Sequence, residues 1–136
     1  MSTSNLTLKV VSPEGILLEM EAASVQFPGD DGLFGILPRH AAMTSLTTSG
    51  LLRAKATEGE SMEMIIHDGF AQVANNVVTI LTRSAEKPEQ IDLDRATRAA
   101  ERARRRLQGS KTEVDFARAE LALRRALIRE RLARRR

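Results

Sequence analysis

Up to about residue 85 the apolar positions recur at every second residue. Leu6, Leu8 and Val10 alternate with polar neighbours, as do Ala23, Val25 and Phe27, and then Met62, Met64 and Ile66. Period 2 is the pattern of strands with one buried face. Val77-Val78-Thr79-Ile80-Leu81 is a β-branched run of strand length. Turn formers separate the runs: Pro13-Glu14-Gly15, Pro28-Gly29-Asp30-Asp31-Gly32, Ser49-Gly50, Glu58-Gly59, Asp68-Gly69 and Asn75-Asn76. Many short strands at this spacing predict a β-sandwich or barrel.

After Pro88 the period changes. Ala96, Ala99, Ala100, Ala103 and Leu107 fall on one face of a helix. Asp92 and Asp94 stand in its first turn and Arg104, Arg105 and Arg106 in its last, each sign where the helix macrodipole favours it. Gly109 is placed to end that helix, and Ser110-Lys111-Thr112-Glu113 has the spacing of a capping box for a second one. Phe116, Ala119, Leu123 and Leu127 form the expected buried stripe of the second helix, flanked by Leu121, Ile128 and Leu132. A short connection makes the two helices antiparallel neighbours. The expected organisation is a β domain over residues 1–87 and a helical hairpin over 88–136.

Charge sharpens that division. Residues 1–90 carry six Lys/Arg against eleven Asp/Glu, a net of −5, and residues 91–136 carry fifteen against seven, a net of +8. With no cysteine, disulfides and thiol chemistry are excluded. The N-terminal stretch lacks the basic-then-apolar pattern of a signal peptide, and no window reaches the roughly 20 apolar residues of a membrane span. The chain is therefore expected to be soluble or peripheral to a membrane.

Candidate chemistry is sparse. His67, beside Asp68-Gly69, reads as a rim residue, and His40 as a loop contact. Nothing has metal-ligand spacing, and the glycines Gly29, Gly32 and Gly35 are not followed by the Lys-Ser/Thr of a phosphate loop. No catalytic residue and no metal site is expected. The arginines of the hairpin admit three readings: a solvated charged face, a nucleic-acid contact through phosphates, or a specific anion clasp. Arg118, Arg125 and Arg129 share one face of the second helix, and Arg95 and Arg102 one face of the first. If those faces meet, guanidinium forks converge in a way that suits a phosphate chain. Base-stacking nucleic-acid binders normally need aromatic platforms, and this chain has four Phe, no Trp and no Tyr.

Particular segments resemble a known family, the epsilon subunit of bacterial F-type ATP synthase, equivalent to the mitochondrial delta subunit. Leu33-Phe34-Gly35-Ile36-Leu37-Pro38-Arg39-His40-Ala41 is similar to the family's Gly-x-Leu-Gly-Ile-x-Pro-Gly-His loop. Asp68-Gly69-Phe70-Ala71-Gln72-Val73 resembles its Gly-Gly-Phe-x-Glu-Val strand, and Val77–Leu81 the strand that follows. Ile91-Asp92-Leu93-Asp94-Arg95-Ala96 fits its Ile/Leu-Asp-x-x-Arg-Ala motif, and Arg118 to Ala126 resembles its second helix. The resemblance runs in order over residues 1–132. It departs at Leu33, where the family has an acid, at Arg39, where it has glycine, and at Asp68, which replaces the first glycine of Gly-Gly-Phe.

The resemblance implies an antiparallel β-sandwich of about ten short strands followed by an antiparallel two-helix hairpin. It implies a non-catalytic rotor subunit of the central stalk, coupling ion flow to ATP synthesis. Its partners would be the gamma subunit, the c-subunit ring and the alpha/beta catalytic hexamer. Within that assembly it would be a monomer, held at the cytoplasmic face of the inner membrane only through the complex. The loop residues Leu33, Phe34, Pro38, Arg39 and His40 would face the ring or gamma. The hairpin would permit ATP hydrolysis when folded and block it when extended. No cofactor is required, but ATP is implied as a regulatory ligand, on Glu86, Ile91, Asp92, Arg95, Ala96, Arg125 and Arg129, supported by Arg102 and Arg118. The very basic tail Arg131-Leu132-Ala133-Arg134-Arg135-Arg136 would add to contact with an acidic catalytic subunit, or stay solvated. The competing reading from the residues alone is a β-scaffold adaptor whose basic hairpin binds nucleic acid.

Overall fold

A computed structural model describes residues 5–58 and 60–134. The Glu58-Gly59 turn and the last two arginines of the tail thus fall partly or wholly outside the described residues. The chain divides into two compact units, the first ending at Glu86 and the second beginning at Lys87.

The first unit is all β. Its strands are β1 (Leu6–Ser12), β2 (Gly15–Ala22), β3 (Ser24–Gly29), β4 (Gly32–Ile36), β5 (Met43–Thr47), β6 (Gly50–Lys55), β7 (Met62–Ile66), β8 (Gly69–Ala74), β9 (Val77–Thr82) and β10 (Ala85–Glu86). One array runs β10-β7-β6-β3, with β4 on the other side of β3, and a second runs β5-β8-β9-β1-β2. They join where Gly29 of β3 meets Thr47 of β5. Alternation does what the sequence implies: Leu6, Leu8 and Val10, Val25 and Phe27, Met64 and Ile66, and Val78 and Ile80 point into one core shared by both arrays.

All pairings are antiparallel except β1 with β9, which is parallel. Strand periodicity is the same in both senses, so the residue pattern carries no sign of this exception. Between β8 and β9, Asn75 (φ 51°) and Asn76 (φ 63°) make the two-residue turn with both residues left-handed that suits a twisted hairpin.

The second unit opens with a 3₁₀ turn at Pro88–Gln90, followed by α1 (Leu93–Gln108) and α2 (Glu113–Arg134). Asp92 caps α1, its Oδ1 accepting from the Arg95 N–H at 3.1 Å. Gly109 ends that helix with its N–H on the Arg105 carbonyl at 3.1 Å. The capping box expected at Ser110–Glu113 does not form. Ser110 Oγ instead donates back to the Arg106 carbonyl at 2.6 Å, and Thr112 caps α2, its Oγ1 accepting from the Asp115 N–H at 3.0 Å. The cap lies two residues later because Ser110 is already spent on closing α1.

The expected buried stripe of α2 is also corrected. Ala119 and Leu132 are buried as expected, but Phe116, Leu121 and Leu127 are exposed, and Ala126 and Ala133 are buried in their place. With the half-buried Ala122, these alanines recur at the three- and four-residue steps of a helix–helix seam. They match Ala96, Ala100 and Ala103, the buried residues of α1. The reason is mutual fit. An all-alanine face offers shallow grooves, so only an equally small face can approach it closely.

Candidate functional site

The β unit contributes two exposed features. The first is β4 and the segment that follows it. Of its five expected contact residues, Phe34 stacks on Phe27 with ring centroids 5.3 Å apart and so is tied to the core. Leu33 is 66% exposed, and Pro38 and His40 are half-buried. His40 Nδ1 lies 2.8 Å from the Ala41 carbonyl oxygen. Arg39 is exposed and has φ 66°, with its N–H donating to Asn76 Oδ1.

The second feature escapes sequence reading. Leu46, Phe70, Leu81, Val11 and Ile16 stand directly opposite one another across β5, β8, β9, β1 and β2. Val11 is half-buried and the other four are exposed. Side chains paired in this way are in lateral contact, so the outer face of the second array carries a continuous apolar row. Exposed contiguous apolar surface of this kind marks a docking face. A cleft of about 360 Å³ at its edge is lined by Val11, Leu81 and Arg83 among others. Each row residue sits alone in its own strand, and only the register between strands assembles them.

Glu86, expected to touch ATP, belongs to β10. Its Oε1 lies 3.4 Å from His67 Nε2, and His67 Nδ1 is 3.4 Å from Ser49 Oγ. The remaining expected ATP residues lie in the hairpin unit. Asp92 uses one carboxylate oxygen as the α1 cap, and Ile91 and Ala96 are both 4% exposed, so little of either apolar side chain is open to a base. Ile91 and Asp92 line a shallow cleft of about 470 Å³ with Glu89 and Asp94, an acidic rim that matches an amino group better than a phosphate.

The arginines do gather. At about 100° of rotation per residue, Arg95, Arg102 and Arg106 lie on one flank of the α1 seam. Arg118, Arg125 and Arg129 lie on the corresponding flank of the α2 seam. Two antiparallel right-handed helices facing each other through their seams put these flanks on the same side of the hairpin. Arg106 and Arg118 accordingly line one cleft of about 380 Å³ at the hairpin turn, with Ser110 and Asp115. The structure therefore gives one edge six guanidiniums, including Arg106, which the motif comparison had not singled out. Phe116, the aromatic residue of α2, falls on the opposite flank, so the basic edge lacks the stacking platform that the nucleic-acid reading requires.

An uncovered apolar row on one unit and an arginine edge on a hairpin describe a two-domain docking protein. Comparison with known proteins makes this specific. Residues 5–88 match the beta-sandwich domain of the ATP synthase Delta/Epsilon chain, and residues 89–134 match its long alpha-helix domain. The chain belongs to the ATP synthase delta/epsilon family. It is 43% identical over 128 residues to the ATP synthase epsilon chain of Nitratidesulfovibrio vulgaris, covering 94% of this chain and 95% of that one. It is 46% identical over 128 residues to the epsilon chain of Desulfitobacterium hafniense, covering 94% and 96%. Among solved structures, a chain of the Euglena gracilis mitochondrial ATP synthase, in an assembly of OSCP, F1 and c-ring, superposes with a TM-score of 0.83 at 26% identity. That superposition covers 93% of this chain and 80% of the other. A chain from the central stalk and c-ring of the Tetrahymena thermophila enzyme shares the fold, with a TM-score of 0.67 at 12% identity.

Proposed function

We propose that the protein is the non-catalytic rotor subunit of the central stalk, and that its hairpin is a mobile regulator of ATP hydrolysis. The carrying observation is the construction of the hairpin: an alanine seam beneath an edge of six arginines. Alanine side chains bury little area, and hydrophobic stabilisation scales with area, at about 25 cal/mol per Å². Two helices joined in this way are weakly held. The like charges of Arg95, Arg102, Arg106, Arg118 and Arg125 along one edge add repulsion that an anion or an acidic partner surface relieves. Folded and extended states are then close in free energy, as a switch requires.

In this reading the apolar row through Phe70 and Leu81 seats the β unit on gamma, and the Leu33–His40 segment faces the c-subunit ring. The extended hairpin reaches the acidic surface of the alpha/beta hexamer. No helix among the described residues is long and apolar enough to cross a membrane, and attachment to the cytoplasmic face of the inner membrane runs through the complex. Deleting residues 91–136 is expected to raise the rate of ATP hydrolysis by the assembled enzyme. An unchanged or lower rate in the truncated complex rules out an inhibitory hairpin.

ATP fits the same edge. Guanidiniums of Arg95, Arg125 and Arg129 can fork onto phosphate oxygens, with Arg102 and Arg118 adding charge, and Asp92 can accept from the adenine amino group. A nucleotide bound to the folded hairpin stabilises that state by its difference in affinity for the two. Calorimetry of the isolated protein is expected to show ATP binding that Arg125→Ala weakens by about tenfold or more, the loss of one charge-assisted contact. No heat at millimolar nucleotide would remove ATP from the reading and leave the stalk assignment untouched.

A further inference from the structure

Arg39 occupies backbone that arginine disfavours. At φ 66° its Cβ crowds the following carbonyl, a clash that glycine lacks. The conformation is held from outside: the Arg39 N–H donates to Asn76 Oδ1 at 2.6 Å, so the β8–β9 turn pins the loop. Glycine would take the same backbone at lower cost, so the loop geometry does not explain an arginine here. What arginine adds is a cation. Strain kept at an exposed position points to a function for the residue that bears it.

The surroundings say what that cation meets. Residues 33–42 contain no Asp or Glu. Among the described residues no carboxylate forms an ion pair with Arg39, whereas Lys9 and Arg53 of the same unit each have one. Leu37, two residues away, is 63% exposed. The loop therefore presents an exposed guanidinium on a pinned backbone, two residues from an exposed leucine, on a unit that is otherwise acidic. Buried at an interface, an unpaired guanidinium is costly, and a carboxylate facing it relieves that cost with a forked contact.

We infer that Arg39 sets the specificity of this loop for its docking partner, by seating its guanidinium on an acidic side chain of the c-subunit ring while Leu37 covers adjacent apolar surface. The inference rests on the stalk reading above and adds the chemistry of the partner's contact residue.

Full-length R39G and R39K, assembled into the complex, test it. Free R39G is expected to melt about 4 °C higher than wild type, the return for relieved backbone strain in a domain of this size. In the complex R39G is expected to leave the ring about tenfold faster, with a weaker dependence on salt, while R39K, which keeps the charge but loses the fork, falls between R39G and wild type. R39G held as tightly as wild type at low salt overturns the inference alone. A wild-type chain that fails to bind the ring overturns the stalk reading and the inference together. Binding of wild type, but not R39G, to phosphatidylglycerol vesicles free of ring protein would make a lipid phosphate the partner and overturn the carboxylate.

Discussion

Gly69→Ala is expected to cost the β unit more than about 3 kcal/mol, a large share of the 5–15 kcal/mol by which a small domain is stable. Gly69 opens β8 and pairs with Thr47 on one side and Thr82 on the other. A Cβ placed there would sit inside the carbonyl oxygen of Leu81, and also against the Leu81 carbonyl carbon at 3.0 Å. Both atoms are backbone of β9, whose register is fixed by β8 on one side and β1 on the other. No rotamer change relieves the clash. The strand must bulge or the β8–β9 pairing must open at its end, and that pairing also carries the Phe70–Leu81 part of the apolar row. Thermal unfolding checks the expectation: the midpoint should fall by at least about 12 °C, at roughly 4 °C or more per kcal/mol. Gly35→Ala is the control, because a Cβ there meets nothing within 4 Å. If the two variants melt together, the close approach at Gly69 is not a constraint on the fold.

The contrast between the two glycines shows where residue patterns carry information and where they do not. Inward faces were legible. Leu6, Leu8 and Val10 repeat at period 2, and one buried face is the simplest way to satisfy that repeat. The change of period after Pro88 was equally plain, and the charge asymmetry agreed with it. The parallel pairing of β1 with β9 left no trace, because a strand alternates identically whichever way its neighbour runs. The apolar row was invisible for a related reason: Leu46, Phe70 and Leu81 become neighbours only through register.

In α2 the failure had a different cause. Apolar residues lie on nearly every face of that helix, as Val114 and Leu121, as Phe116 and Leu127, and as the alanines. Side-chain size suggested burying the large ones. The partner helix decided otherwise, since the residues that α1 buries are alanines. The arginine edge was half legible: spacing grouped the residues within each helix, but placing both groups on one side needed the hairpin geometry, which also brought in Arg106.

Ala100→Leu turns that packing argument into a functional expectation. Ala100 is fully buried in the middle of the α1 seam. Leucine adds three carbons with no groove to receive them, and overpacking of this kind typically costs 1–3 kcal/mol. The cost falls on the folded hairpin alone, because leucine is as good a helix former as the site needs and the extended state has no opposing seam. At 1.4 kcal/mol per factor of ten, the balance moves toward the extended hairpin by roughly 5- to 150-fold. If the extended state is the inhibitory one, as proposed, the complex carrying Ala100→Leu should hydrolyse ATP more slowly than wild type. Truncation of the hairpin should have the opposite effect. Amide hydrogen exchange on the same complex should show faster exchange in the middle of α1, with β8 and β9 unchanged. A complex that exchanges faster in α1 yet hydrolyses ATP as fast as the truncated one would show that opening the hairpin releases the enzyme instead of stopping it.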